Sequence, residues 1–123
     1  YSAGIKRLRD LQANYPENYA ALMAYAHGLT IAGESNKATA ILLKGSRLYK
    51  NDLPLCEELA QAYSASNQKA YAYFTEAQCQ LLQGRQRDAI RNLKIAKNMA
   101  TQDKYLYERA RAKIDEIKFL LTD

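Results

Sequence analysis

The sequence predicts an all-α solenoid of short antiparallel helices, and three observations carry that expectation. Apolar residues recur at three- and four-residue spacing in seven stretches, with strand-like alternation in none of them. Gly33 and Gly84 each break a pair of such stretches. Small residues then fall at the same offsets around both glycines: Ala26, Ala38 and Gly45 around the first, Ala77, Ala89 and Ala96 around the second. Large apolar residues repeat in the same frame, Leu42 with Leu93 and Leu48 with Met99. Small residues at fixed places let paired helices approach closely.

Helix one is expected from Ser2 to Asn14, with Ile5, Leu8 and Leu11 at helical spacing. Tyr15-Pro16 ends it, because a residue before proline is pushed out of helical geometry. Helix two, Glu17 to Ala32, places Leu22, Tyr25, Ala26 and Leu29 on one stripe and stops at Gly33. Helix three, Ser35 to Tyr49, opens on Ser35 as N-cap and buries Ala38, Ile41, Leu42, Gly45 and Leu48. Asp52 is the expected N-cap of helix four, Leu53 to Ala65, whose first turn tolerates Pro54. Its inward residues are Leu55, Cys56, Leu59, Ala60 and Tyr63. Ser66-Asn67 breaks the chain before helix five, Gln68 to Gln83, where Tyr73, Ala77 and Leu81 face inward with Phe74 beside them. Helix six, Gln86 to Ala100, carries Ala89, Ile90, Leu93, Ala96 and Met99. A polar turn, Thr101 to Asp103, leads to helix seven, Lys104 to Leu121, with Tyr107, Ala110, Ile114, Ile117 and Leu121 in one stripe and charge on its far face.

The fold class is therefore a tetratricopeptide-type α-solenoid of about seven antiparallel helices with a C-terminal capping helix. Residues 1–123 are expected to form one such domain. The chain starts without Met and in mid-pattern, as a fragment of a longer protein would. One irregularity stands out. Gly84 follows Gly33 by 51 residues, one repeat of about 34 and half of another. Helix five is thus a second helix by parity and a first helix by motif, and Glu76 stands where Tyr25 stands in the earlier unit. A change of superhelical path between helices four and six is expected.

Composition narrows the function. Hydrophobic content of 48% and charged content of 25% are ordinary for a globular chain. No apolar run approaches the roughly 20 residues of a membrane span. The net charge of +5 raises nucleic-acid binding as a question. The 18 basic residues are interleaved with 13 acidic ones, however, and the densest group, Arg85, Arg87, Arg91, Lys94 and Lys97, suits a solvated helix face. With one histidine, His27, no His-containing pair can form inside the chain. H-E-x-x-H, G-x-S-x-G and a phosphate loop are all missing, so the segment is not expected to be an enzyme, and no cofactor is expected in it. Cys56 and Cys79 are too few for a zinc site. Helices four and five, antiparallel about Ser66-Asn67, put the two at nearly the same level. Two buried free thiols are the ordinary outcome, and an oxidising compartment admits a bridge.

Solenoids bind along a concave surface lined by the first helix of each pair. In that register Met23, His27 and Ile31 line the groove from helix two, Glu57 and Gln61 from helix four, and Tyr71, Phe74, Gln78 and Leu82 from helix five. Core packing is an equally open reading of Tyr71 and Phe74, and a satisfied histidine of His27. Met23 and His27 do not supply the Lys and Asn set of a carboxylate clamp, which disfavours a free acidic C-terminus. Exposed aromatics in the groove suit extended or partly unfolded polypeptide.

LPLCEELAQAY at Leu53–Tyr63 and AYAYFTEAQCQLLQGRQRDAIRNLKIAKNMATQDKYLYERARAKIDEIKFLL from Ala70 carry a more specific likeness. They resemble the C-terminal tetratricopeptide domain of BepA-like (YfgC-type) periplasmic zinc metalloproteases over roughly Asn14 to Leu121, most strongly from Ala70 onward and most particularly in the closing helix. Lys50, where a proline commonly sits, and Glu76 depart from the repeat pattern. The resemblance implies a periplasmic protein of outer-membrane assembly and quality control. Its array would engage outer-membrane protein clients or the β-barrel assembly machinery, while zinc and the catalytic glutamate belong to a separate N-terminal domain. A stand-alone scaffold for secretion or envelope assembly is the alternative. Nucleic acid and membrane insertion are not expected.

Overall fold

All seven expected stretches are helical in the computed structural model, which describes residues 2–14 and 18–122. The helices are α1 (Ser2–Asn14), α2 (Tyr19–Ile31), α3 (Ser35–Leu48), α4 (Leu53–Ala65), α5 (Lys69–Leu82), α6 (Gln86–Met99) and α7 (Lys104–Thr122), with no strand among the described residues. Each packs against its chain neighbours, the arrangement of an α-solenoid. Beyond chain neighbours, α2 and α4 are the one pair among the described residues in substantial direct contact. The Tyr15-Pro16 break and the start of helix two at Glu17 lie outside the described residues.

The turns explain the boundaries. Gly33, Asn67 and Gly84 all take positive φ, at 85°, 60° and 75°, just after α2, α4 and α5. Behind each, a backbone N–H reaches back to close the helix end: Glu34 to the Leu29 carbonyl, Gln68 to that of Tyr63, Arg85 to that of Gln80. A Cβ on either glycine would meet nothing within 4 Å, so the backbone conformation and not space calls for glycine there. The turns before α4 and α7 use aspartate. The Asp52 carboxylate accepts from Leu55 N–H at 2.9 Å and that of Asp103 from Leu106 N–H at 3.0 Å, capping α4 and α7. Ser35, expected as a cap, is instead the first residue of α3, and Glu34 holds the cap position without a side-chain bond to the helix N–H groups.

Packing shows what repeats. Ala26, Ala38, Leu42, Leu55, Leu59 and Tyr63 belong to a core built from α2, α3 and α4. Their counterparts 51 residues on, Ala77, Ala89, Leu93, Leu106, Ala110 and Ile114, belong to a second core built from α5, α6 and α7. The unit is therefore three helices, and α7 is the counterpart of α4. Gly45 is small because a Cβ there would run into a δ-methyl of Leu22; Ala96 fills the same place in the second unit.

Inward assignments change in four helices. Leu48 of α3 and Met99 of α6 lie near the helix ends and are 58% and 41% exposed, and the stripes of α5 and α7 shift. Phe74 is buried in α5, 5% exposed, while Tyr73 is 38% exposed. In α7 the stripe is Leu106, Ala110, Ile114 and Ile117, with Tyr107 and Leu121 outside. In α5 and α7 the middle of the expected stripe stays inside (Ala77; Ala110, Ile114 and Ile117) while its first residue shifts by one, because neighbouring helices decide which of two adjacent apolar side chains is covered.

A tyrosine ties each unit together. Tyr19 Oη donates to the Asp52 carboxylate at 2.7 Å, and Tyr71 Oη to that of Asp103 at 2.6 Å. Each bond runs from the first helix of a unit to the cap of its third. The bond to aspartate is the main reason both phenols are pushed up to about 12 from 10.0, with desolvation second. Because the folded values lie above the ordinary one, the stability these groups contribute is fully present below about pH 10 and is lost as pH rises towards 12. Denaturant unfolding followed from pH 8 to pH 12 should show that loss. Tyr19→Phe/Tyr71→Phe should be less stable than wild type at pH 8 and lose less across the window; parallel curves would contradict the assignment.

Candidate functional site

A repeat of three helices has a geometric consequence. Helices of a solenoid alternate between two rows, so an odd repeat sends equivalent helices to opposite rows. α2 and α4 share one row, and α5, the counterpart of α2, lies in the other. The nine residues expected to line one groove therefore do not share a surface.

Two open clefts take its place. The first, about 570 Å³, lies over α5 between α4 and α6. Its walls are Glu57, Gln61 and Ser64 of α4, Tyr73 and Glu76 of α5, and Asn92 of α6. The second, about 400 Å³, lies between α3 and α5 over α4 and reaches α7. Leu43 and Ser46 come from α3, Leu55, Cys56 and Leu59 from α4, Thr75, Gln78 and Leu82 from α5, and Arg109 and Lys113 from α7. Helical spacing puts Ala72, Tyr73 and Glu76 on one side of α5 and Thr75, Gln78 and Leu82 on the other, so the clefts open on opposite faces.

The expected residues divide as follows. Glu57 and Gln61 line the first cleft, and Gln78 and Leu82 the second. Met23 is half-buried against the first core, and Ile31 is exposed at the end of α2. His27 is also exposed, with Nδ1 2.9 Å from Glu58 Oε1 of α4. The single histidine thus does form a pair within the chain, contrary to expectation, because a carboxylate from the next-but-one helix reaches it. Tyr71 is half-buried, its ring stacked on that of Tyr63 at 5.3 Å and its hydroxyl spent on Asp103. Phe74 lies in the second core beneath the Arg109 guanidinium, 4.6 Å from the ring centre. Tyr71 and Phe74 are thus core residues, because parity and not motif decides which side of α5 faces a neighbour.

Residues absent from the expectation supply much of both clefts: Tyr73, Glu76 and Asn92 in one, Arg109, Lys113 and Leu43 in the other. A signal for Arg109 is present in the sequence. It stands 51 residues after Glu58, as Gln78 stands after His27 and Leu82 after Ile31.

Cys56 and Cys79 join in a disulfide between α4 and α5, their Cα atoms 5.7 Å apart, and neither cysteine is free. Cys79 is buried, while Cys56 lines the second cleft. The bond links the two units at their junction. No protein-family model matches this chain, and no curated protein matches it.

A cross-link closing a loop between positions 23 residues apart limits the unfolded chain enough to be worth about 3 kcal/mol. Reduction should lower the denaturant midpoint of the chain accordingly. An unchanged midpoint, with free thiols verified by mass after alkylation, would show that α4 and α5 hold together without it.

Proposed function

We propose that this chain is a protein-interaction domain of tetratricopeptide type, which holds extended or partly unfolded polypeptide. The observation that carries the reading is the pair of open clefts, each walled by apolar and hydrogen-bonding side chains from three or more helices. Such a lining suits a peptide, whose backbone needs polar partners while its side chains need apolar ones. His27 bound to Glu58, and tyrosine hydroxyls bound to capping carboxylates, are groups already engaged in holding helices together.

The parent protein in this proposal is a BepA-like periplasmic metalloprotease, and the array presents misfolded outer-membrane proteins to it or engages the β-barrel assembly machinery. The likeness in Leu53–Tyr63 and from Ala70 onward supports that assignment. The disulfide supports an oxidising compartment, since such bonds are rare where glutathione keeps thiols reduced. The zinc that the resemblance assigns to another domain meets no ligand set here: no three His, Cys, Asp or Glu side chains gather among the described residues.

A photoreactive benzoylphenylalanine placed at Gln61 or Leu82, in chain mixed with an outer-membrane β-barrel protein diluted from urea, tests the reading. Both positions should trap the unfolded client, and the buried Phe74 position should trap much less. Folded chain that traps nothing at either cleft would refute it.

A further inference from the structure

We infer that the second cleft selects acidic polypeptide: it takes a large apolar side chain beside the Leu43 and Leu82 lip while a carboxylate following it pairs with Arg109. The inference rests on the polypeptide-binding reading above and adds to it which face is used and which chemistry is recognised.

The internal repeat supplies the first argument. In the first unit the helix-two and helix-four counterparts form a closed pair, His27 against Glu58 at 2.9 Å. In the second unit the same two positions hold Gln78 and Arg109. The charge at the α7 position has been reversed, and the group facing it is now neutral. No ion pair or side-chain hydrogen bond among the described residues engages the Arg109 guanidinium.

That guanidinium is nevertheless held in place. It sits 4.6 Å from the centre of the Phe74 ring and 5.4 Å from that of Tyr105. Contacts with ring faces orient the cation without consuming the N–H donors at its edge. A planar fork with its donors free suits a carboxylate, which can accept two of them side by side.

The rest of the cleft agrees in charge and in polarity. Lys113 stands one turn further along α7, its ammonium only 3.6 Å from Glu116 in an exposed contact. The one acid in the lining, Asp52, is engaged by Tyr19 and by the N-terminus of α4. Beyond the cations, buried Leu55 and Leu59 form a floor, and Leu43 and Leu82 stand 43% and 40% exposed at the lip. The opposite cleft carries Glu57 and Glu76 against the single cation Lys69, so an acidic segment is disfavoured there. Apolar lip and cationic end together match a chain segment in which leucine-like residues precede acids.

Two fluorescein-labelled peptides test this on the 123-residue chain: one centred on Leu-Leu-Asp-Glu, the other on its amide isostere Leu-Leu-Asn-Gln. Charge-assisted hydrogen bonds should make the acidic peptide bind about tenfold or more tightly. Arg109→Gln/Lys113→Gln should erase that preference, whereas Arg87→Gln, which removes an exposed cation of α6 outside both clefts, should leave it intact. Circular dichroism establishes that each variant is folded; if the double variant is not, Lys113→Gln alone should reduce the preference severalfold. Equal affinity for the two peptides, or a preference that survives the substitutions, overturns the inference and leaves polypeptide binding standing. Binding of neither peptide sinks both. A dimer of the chain that Leu82→Ser abolishes would assign the cleft to a second copy and would likewise overturn it.

Discussion

Between α4 and α5 the chain leaves one packed unit and enters the next, and the two surfaces of the array depend on how that contact is made. The Tyr63 ring stacks on Tyr71 across it, and the Cys56–Cys79 bond ties it covalently. Tyr63 belongs to the first core, and Tyr71 packs against both. Because α4 closes the first unit and α5 opens the second, this junction sets the rotation of one three-helix unit against the other. With an even repeat, α2 and α5 would present equivalent faces on one side. Three helices per unit turn the second copy over.

That inversion divides the binding chemistry. Open space is left where second-neighbour helices fail to meet: between α4 and α6 on one side, between α3 and α5 on the other. Duplicated positions then diverge. The pair His27 and Glu58 closes on itself, whereas Gln78 and Arg109 leave a cation directed at a partially apolar cleft. A polypeptide passing the array thus meets two glutamates and one lysine on one face and arginine with lysine on the other. Such a difference favours one orientation of a client over its reverse.

Much of this was legible in the chain. Helix number, the glycine turns and the small residues at Ala26, Ala38, Ala77 and Ala89 follow from local rules of capping and close approach, which act within a few residues of each position. The 51-residue interval was also visible, and with it the half-repeat slip. Its consequence for α5 was harder to read. Motif matching assigns Phe74 the role of Met23, which is right in the chain frame, but the buried side of a helix is decided by its neighbours on both flanks. Ala70–Leu82 is apolar enough to pack either way, so periodicity alone could not choose between Tyr73 and Phe74. Arg109 was missed because long-range partners decide whether a surface cation is solvated or facing a cleft. The Tyr19–Asp52 and Tyr71–Asp103 bonds were missed for the same reason, each spanning more than thirty residues.

The opposed faces of equivalent helices are most directly tested by a nitroxide spin label at Leu82 and the broadening it causes in the backbone amide spectrum. With α5 in the row opposite α2 and α4, the strongest losses should fall in α3 around Leu43 and Ser46 and in α7 around Lys113, with His27 and Gln61 much less affected. Strongest broadening at Met23, His27 and Gln61, with α3 and α7 spared, would place all first helices along one groove and contradict the account.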